Sequence, residues 1–282
     1  MRRMRGIGTA LGGLLLIAVV TPAAAPDDTP AYATAWRPLE AGLELGTFPL
    51  SREAAYGDSR ARVLRVDPGY YELHLLMAVA APDSQGHSAR QWCQHAGLVA
   101  AINASMYQAD ARTSTSLMLT RHHANNPRLT RDNSVLALDP LEAGLAPVRI
   151  ADRTCEDFAE LRPRYGTLIQ GIRMLACDGS NTWAAQSRRW SAAAIGLDRQ
   201  GRILLIHVRS PYSMHDLIEM LRELPLDLVR LQYAEGGPEA QLYVRGGGEE
   251  YEFLGSFESG FFESDGNALA LPVPNVIGVK RR

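Results

Sequence analysis

The stretch that decides the fold is "RILLIHVRSPYSMHDLIEMLRELPLDLVRLQYAEGG", residues 202–237. Its first apolar, β-branched run, 202–208, predicts a strand. Ser213 is followed by apolar residues at helical spacing that stop at Pro225, which predicts a capped amphipathic helix. A second strand is expected at 226–233. Strand, helix and strand in this order predict a right-handed parallel crossover.

Polar residues follow each of the two strands. Arg209 follows the first strand, and Glu235, Gly236 and Gly237 follow the second. Parallel strands would bring both groups to one sheet edge, where open α/β sheets bind ligands. The glycines allow the backbone to approach a ligand closely, and a carboxylate beside them suits a base, a nucleophile or a metal ligand. Spacing alone leaves equally open a Gly-Gly-Pro hairpin in which Glu235 and Glu239 are solvated.

The remaining pattern predicts a single α/β domain of the mixed α+β kind over residues 61–282, with one mixed β-sheet, the crossover near 202–233 and flanking helices. Residues 62–66 and 70–79 are expected to pair as a hairpin around an Asp-Pro-Gly turn. Ser88 is expected to begin a helix that stops at Gly97. Further strands are predicted at 98–102, 116–120, 135–138, 148–150, 167–175 and 191–197.

The N-terminus has the order of a secretory signal peptide, with arginines, an apolar run over 6–20 and small residues before a cleavage site after Ala25. The apolar run is shorter than the roughly 20 residues that a membrane-spanning helix needs. Residues 1–25 are therefore interpreted as a signal peptide and 26–60 as a leader or N-terminal extension. The mature protein is expected to be periplasmic or secreted, with no stable membrane anchor.

Charge and cysteine content narrow the partners and the compartment. The net charge of −2 becomes about −5 once the three arginines of the signal peptide are removed, which argues against general nucleic-acid binding. Three cysteines remain, and export favours one disulfide with one thiol left over. Cys155 and Cys177 both lie beside turn-rich segments, whereas Cys93 lies in a helical pattern, so we predict a Cys155–Cys177 disulfide.

Four segments in a fixed order resemble the phosphodiester glycosidase family over most of residues 60–280. They are "LVAAINASMY" at 98–107, "GTLIQGIRML" at 166–175, "RRWSAAAIGLDRQGRILLIHV" at 188–208 and "LQYAEGGPEAQLYV" at 231–244. The resemblance implies cleavage of a sugar from a sugar-1-phosphodiester. It also implies site roles for Asn103, for Arg189 and for the loop formed by Glu235, Gly236 and Gly237.

The resemblance has two departures, both in that loop. Glu235 stands where aspartate is usual, and Pro238, Glu239 and Ala240 replace a Gly-Ser-Ser region. The implied chemistry is attack by Glu235 on the sugar, or activation of water by it, while arginines stabilise the leaving phosphate. The catalytic candidates are Glu235, Arg189 and Asn103, and the substrate-binding candidates are Gly236, Gly237, Arg209, Gln170, Arg173 and Tyr107.

No cofactor and no metal site are expected. His122 and His123 are adjacent, so on an extended segment they point to opposite sides and do not form a ligand pair. The expected substrate is a sugar phosphodiester or a related envelope glycoconjugate. Two alternatives stay open: a non-catalytic binding protein for an anionic glycan, which the loop departures keep open, and a structural envelope protein whose loop is only a turn. The sequence does not indicate an oligomeric state.

Overall fold

The computed structural model describes residues 36–257 and 263–282, so the predicted signal peptide lies outside the described residues. Within those ranges the helices are α1 (Ala89–Ala96), α2 (Phe158–Leu161) and α3 (Met214–Glu223). The strands are β1 (Trp36–Glu40), β2 (Leu43–Pro49), β3 (Arg60–Val66), β4 (Tyr71–Met77), β5 (Ala100–Asn103), β6 (Met118–Leu119), β7 (Ala124–Asn126), β8 (Ser134–Pro140), β9 (Val148–Asp152), β10 (Tyr165–Arg173), β11 (Trp190–Asp198), β12 (Ile203–Tyr212), β13 (Leu228–Gly236), β14 (Gln241–Gly246), β15 (Glu249–Leu254) and β16 (Asn275–Arg281).

The strands form two sheets in which every described pair is antiparallel. The large sheet has eleven strands in the order β1-β2-β3-β12-β11-β13-β10-β6-β7, with β8 pairing to β10 and β9. The small sheet has five strands in the order β15-β14-β5-β16-β4. None of the described helices is long and apolar enough to cross a membrane. The α+β class is therefore correct in outline, but the expected single mixed sheet is replaced by two antiparallel sheets.

The predicted crossover is present in a modified form. Strands β12 and β13 run in the same direction and are joined by α3, but β11 lies between them and pairs antiparallel with both. The reason is the turn at 198–201, which first folds β12 back onto β11 as a hairpin. The two strands still end at one edge, because Ala192 of β11 pairs with both Val208 and Gly236.

The predicted hairpin of 62–66 with 70–79 is wrong. Strand β3 pairs with β2 and β12 in the large sheet, whereas β4 pairs with β16 in the small sheet. The intervening Asp-Pro-Gly turn therefore carries the chain from one sheet to the other. Strand β2 pairs with β3 over the full length of both, so part of the segment interpreted as an N-terminal extension belongs to the large sheet. Alternation of side chains identifies strands but does not specify their partners.

Three apolar clusters fill the spaces between the sheets and the helices that cover them. The largest lies between the two sheets and contains residues of both, including Ile102, Ile195 and Ile277. A second cluster packs α3 against the other face of the large sheet, and a third packs α1 against the small sheet. The order of layers is α1, small sheet, large sheet, α3. In the middle of the domain, each sheet is therefore covered by the other sheet on one face and by a helix on the other face.

The two longer helices begin and end where local sequence chemistry dictates. Ser88 and Gln91 form a reciprocal capping box at the start of α1, and Gly97 ends this helix in the left-handed conformation with φ 66°. Ser213 accepts a hydrogen bond from the backbone N–H of Asp216 at the start of α3. Both predicted N-caps are confirmed.

The structure joins Cys155 to Cys177 by a disulfide, the pairing that the sequence favoured, with a Cα–Cα distance of 6.6 Å. Cys93 is a buried free thiol in α1. The disulfide ties the segment after β9 to the turn after β10, on the flank of the large sheet.

Candidate active site

A bulge in β13 determines where Glu235 lies. Ala193 of β11 pairs with Glu235 and the next residue, Ala194, pairs with Tyr233, so Ala234 is an extra residue in β13. Ala193 belongs to the core between the sheets, whereas Ala194 and Tyr233 belong to the core beneath α3. The bulge therefore places Glu235 and Tyr233 on opposite faces at the end of one strand.

The two glycines after Glu235 are required by close contacts and by backbone conformation. A Cβ on Gly236 would overlap the hydroxyl of Tyr233 and the ring of Trp190. Gly237 has φ +65°, in the left-handed region that favours glycine, and begins a short 3₁₀ turn, Gly237–Glu239. Its carbonyl oxygen lies so close to Gly255 that a side chain at Gly255 would overlap it. The loop is thus packed tightly on both sides.

Asn103 fixes the far end of this loop. Its amide Nδ2 donates to the carbonyl oxygen of Glu239 at 2.9 Å, and its Oδ1 accepts from the backbone N–H of Gln241 at 2.7 Å. The side chain is only 1% exposed. Asn103 therefore lies beside the predicted loop, but both of its polar groups bind the backbone, which makes it a positioning residue.

The carboxyl group of Glu235 has an unusual electrostatic environment. Its pKa is raised to about 8, mainly because the group is removed from water. A 3.0 Å hydrogen bond from the N–H of Gly236 lowers the pKa, and the nearby charge of Glu239 raises it. Burial also raises the pKa of Tyr107 to about 12, with added contributions from Glu239 and Glu235. Two carboxyl groups and one phenol thus share this end of the sheet.

Arg209 lies close to the site edge, but its guanidinium donates to backbone carbonyl oxygens and to one carboxylate. Its Nε contacts the carboxylate of Asp265 at 2.7 Å, and its Nη atoms donate to the carbonyl oxygens of Leu254, Asp265 and Asn267 at 2.8 to 3.0 Å. These bonds hold the end of β15 and the described residues 265–267 beside β12. The predicted substrate-binding role of Arg209 is not the one that its contacts indicate.

Arg173 is likewise engaged in a structural contact. Its Nη1 lies 2.6 and 2.8 Å from the carboxylate oxygens of Asp152 and 2.7 Å from the hydroxyl oxygen of Thr154. The neighbouring disulfide sulfurs and Asp152 form the one group of potential metal ligands found among the described residues. Because both sulfurs are in a disulfide and Asp152 is paired with Arg173, these atoms are not an available ligand set.

Gln170 is completely buried at the centre of a loop network. Its Oε1 accepts from the backbone N–H groups of Leu117 and Thr130, and its Nε2 donates to the carbonyl oxygens of Thr130 and Asp132. These four bonds fix the loop between β7 and β8 against the residue that precedes β6. Its predicted contact with substrate would require those bonds to break.

Arg189 and its neighbour Arg188 are exposed immediately before β11. Neither forms an ion pair with residues 36–257 or 263–282, and the guanidinium of Arg188 lies 5.7 Å from the ring centre of Trp190. Since Ala192 pairs with Gly236, this arginine pair enters β11 at the edge where the Glu235 loop leaves β13. Arg189 is thus the predicted arginine that remains available for an anion.

Several residues near the loop were not selected from the sequence. Glu239 is not among the candidates predicted from the sequence, although its charge acts on Glu235, Tyr107 and Tyr233. Trp183, Trp190 and Tyr233 form an aromatic cluster beside Gly236. The available signal in the sequence was two tryptophans close to the two arginines, Trp183 before them and Trp190 directly after them at the start of β11.

Carboxyl groups and exposed arginines thus lie at one end of the large sheet. The phosphodiester glycosidase profile matches residues 96–280. The chain therefore belongs to the phosphodiester glycosidase family.

Solved structures support the fold. The chain is similar to the catalytic domain of zebrafish N-acetylglucosamine-1-phosphodiester alpha-N-acetylglucosaminidase, with a TM-score of 0.58 and 13% identity over 86% of this chain and 84% of that one. It is also similar to a hypothetical protein from Synechocystis, with a TM-score of 0.56 and 14% identity over 86% of this chain and 62% of that one. A search of curated proteins finds no match. At these identities the structural likeness concerns the fold alone.

Proposed function

We propose that this protein is an exported hydrolase that cleaves the glycosidic bond of a sugar-1-phosphodiester or a related envelope glycoconjugate. Family membership supports the reaction class. The observation that carries the proposal is the partly exposed Glu235, whose pKa is raised to about 8 at a sheet edge shared with Glu239 and Tyr107. A protonated carboxyl group beside a second carboxyl group is the usual equipment of glycoside hydrolysis.

In the proposed reaction the bond between the anomeric carbon and the phosphate oxygen breaks, and its electron pair stays on that oxygen. A water oxygen forms the new bond to the anomeric carbon. Glu235 gives its proton to the departing phosphate, and Glu239 takes the proton that water loses. The products are a free sugar and a phosphate monoester. This assignment makes Glu235 the acid, in place of the nucleophile or base that the resemblance implies, because a carboxyl group with a pKa of about 8 is protonated at neutral pH.

Stabilisation of the phosphate is assigned to Arg188 and Arg189. Guanidinium groups bind phosphate oxygens through charge-assisted hydrogen bonds. Arg173 and Arg209 already use their donors on Asp152 and on the segment after β15, which supports assigning this role to the pair before β11. Tyr107 is proposed to contact the substrate as a neutral phenol.

Export is proposed from residues 1–25 and is consistent with the Cys155–Cys177 disulfide, since disulfides persist in oxidising compartments. Fractionation of cells that express the full chain tests it. The processed form, with a new N-terminus after Ala25, is expected in the periplasm or medium. Recovery of only the unprocessed chain in the cytoplasm would contradict export.

The reaction is tested by incubating the purified protein with a panel of sugar-1-phosphodiesters in water enriched in ¹⁸O. We expect the label to appear in the free sugar and not in the phosphate monoester, because the carbon–oxygen bond is the one that breaks. Label in phosphate would indicate a phosphodiesterase instead. Saturable binding of the panel without products would favour the alternative, a non-catalytic protein that binds an anionic glycan.

A further inference from the structure

Three aromatic side chains form a continuous apolar surface, the aromatic wall, defined by Trp183, Trp190 and Tyr233. The ring centres of Trp183 and Tyr233 lie 5.6 Å apart, and those of Trp183 and Trp190 lie 6.4 Å apart. Both indoles are partly exposed, whereas Tyr233 is only 5% exposed. The wall therefore has a buried base and two rings that reach solvent.

The wall is held in place by hydrogen bonds from both indole nitrogens. Trp190 Nε1 donates to the hydroxyl oxygen of Tyr233 at 2.9 Å, and Trp183 Nε1 donates to the carbonyl oxygen of Arg173 at 3.0 Å. Helix α3 fixes the backbone at Trp183, whose carbonyl oxygen lies 2.6 Å from Nδ1 of His215. These bonds leave the indoles with apolar faces and no free donors. Such a surface binds a partner by packing and not by hydrogen bonding.

The position of the wall connects it to the proposed catalytic loop. A side chain at Gly236 would overlap both Tyr233 and Trp190, so the wall touches the residue directly after Glu235. Arg188 and Arg189 directly precede Trp190 in the chain and are exposed, and the guanidinium of Arg188 lies 5.7 Å from the Trp190 ring centre. The charge of Glu235 also helps to raise the pKa of Tyr233, after removal from water as the main cause. Cationic side chains, aromatic faces and a carboxyl group therefore lie together at this end of the large sheet.

That combination matches a molecule with an anionic group attached to a ring that has an apolar face. Sugar rings present such a face through their axial C–H bonds, which carry partial positive charge and pack on the negative face of an aromatic ring. Ligand sites are commonly lined by aromatic side chains with a few polar groups that set orientation. Phosphate on the anomeric carbon would then lie toward the arginines.

We propose that the aromatic wall is the sugar-binding subsite, in which Trp183 and Trp190 pack against the sugar ring of the substrate while its phosphate lies toward Arg188 and Arg189. The inference rests on the proposed function, because it assigns the sugar and the phosphate of one substrate to neighbouring surfaces. It makes the two tryptophans specificity-determining residues that act on binding and not on proton transfer.

The test is a titration of the intact mature protein, followed by tryptophan fluorescence, with N-acetylglucosamine 1-phosphate, glycerol 3-phosphate and inorganic phosphate as probes. The sugar phosphate is expected to bind at least about 10-fold more tightly than the other two, since only it can contact the rings. Trp190→Ala is expected to weaken sugar-phosphate binding about 10-fold and to leave phosphate binding unchanged. Trp190→Phe, which retains an aromatic face, is expected to recover much of the loss.

The matched control is Trp36→Phe, because Trp36 lies in the edge strand β1, where it packs on Phe48 and under the guanidinium of Arg65. This variant is expected to bind all probes as the wild type does. If Trp190→Ala does not fold, Trp183→Ala and Trp190→Leu, which also remove an aromatic face, are compared with the same probes. Equal affinity for sugar phosphate and glycerol phosphate, or unchanged affinity in the folded variants that lack an aromatic face, would overturn the proposal and leave the wall a packing element.

Turnover assays separate this proposal from the proposed function. On a sugar-1-phosphodiester that the wild type hydrolyses, Trp190→Ala is expected to raise KM with a smaller change in kcat. Hydrolysis with unchanged KM in this variant would contradict the proposed sugar subsite but not the proposed hydrolase activity. Selective binding of the sugar phosphate without any hydrolysis would support the subsite and contradict the hydrolase activity.

Discussion

Two carboxyl groups at strand ends of the large sheet show opposite behaviour. Asp152, at the end of β9, is buried, yet its pKa is lowered because hydrogen bonds from Thr154 and Arg173 together outweigh the cost of removal from water. Glu235, near the end of β13, has its pKa raised to about 8, because removal from water dominates and its one strong partner is a backbone N–H. A carboxyl group whose hydrogen-bond and ion-pair partners are complete stabilises the fold. A buried carboxyl group without a cationic partner keeps its proton near neutral pH and can donate it in a reaction.

Replacing a carboxyl group by an amide should show whether it acts in catalysis or in stability, and the largest effect is expected at Glu235. Glu235→Gln is expected to lower kcat about 1,000-fold on a sugar-1-phosphodiester, because an amide cannot donate the proton. Glu239→Gln should cause a loss of similar size. The measurement is steady-state hydrolysis, with Glu223→Gln on the exposed end of α3 as the matched control that keeps full activity. Wild-type kcat in Glu235→Gln would remove its catalytic role.

Asp152→Asn should have the opposite profile. It leaves the charge of Arg173 without its carboxylate, and breaking a largely buried ion pair is expected to destabilise the protein by about 3 kcal/mol. Denaturant unfolding checks the value, and Asp198→Asn, which breaks the buried pair with Arg202, is the comparison variant. Folded Asp152→Asn protein should keep wild-type kcat. A specific loss of kcat in fully folded protein would place Asp152 in the active site.

Asn103→Ala tests positioning between these extremes. Loss of the bonds to Glu239 and Gln241 is expected to destabilise the protein by about 2 kcal/mol and to lower kcat, because the loop is no longer held. The control is Asn126→Ala, since Asn126 at the end of β7 is also buried and bonds backbone groups of Ser114 and Arg128, away from the loop that contains Glu239. Equal kcat in the two variants would assign Asn103 to stability alone.

The smallest expected effect is on stability as a function of pH. Folded Glu235 keeps its proton up to about pH 8, whereas unfolded Glu235 loses it near 4.5, so its contribution to stability falls as pH rises through that interval. Glu235→Gln removes this slope. Thermal unfolding of both proteins at pH 5 and pH 9 should show a relative gain for the variant at the higher pH. Parallel pH dependences would contradict the raised pKa.

The sequence predicted the elements better than their partners. Both helix caps, the strands of the crossover and the disulfide pair follow from local chemistry at Ser88, Ser213 and the two turn-adjacent cysteines. The sheet that each strand joins depends on contacts between distant segments, which explains why β3 and β4 were paired incorrectly.

The same limit applies to the candidate site. Glu235 and its glycines were identified from spacing and resemblance, whereas the engagement of Arg209 and Arg173 depends on residues far along the chain, Asp265 and Asp152. The significance of Glu239 depends on how the 3₁₀ turn brings it back toward Glu235, and sequence spacing does not give that conformation.

The most direct test of the central claim is a titration of the glutamate carboxyl carbons by ¹³C NMR in the mature protein. We expect one carboxyl signal that titrates near pH 8, is absent in Glu235→Gln and titrates at lower pH in Glu239→Gln, because the neighbouring charge is removed. Titration of Glu235 near 4.5, unchanged in Glu239→Gln, would contradict it.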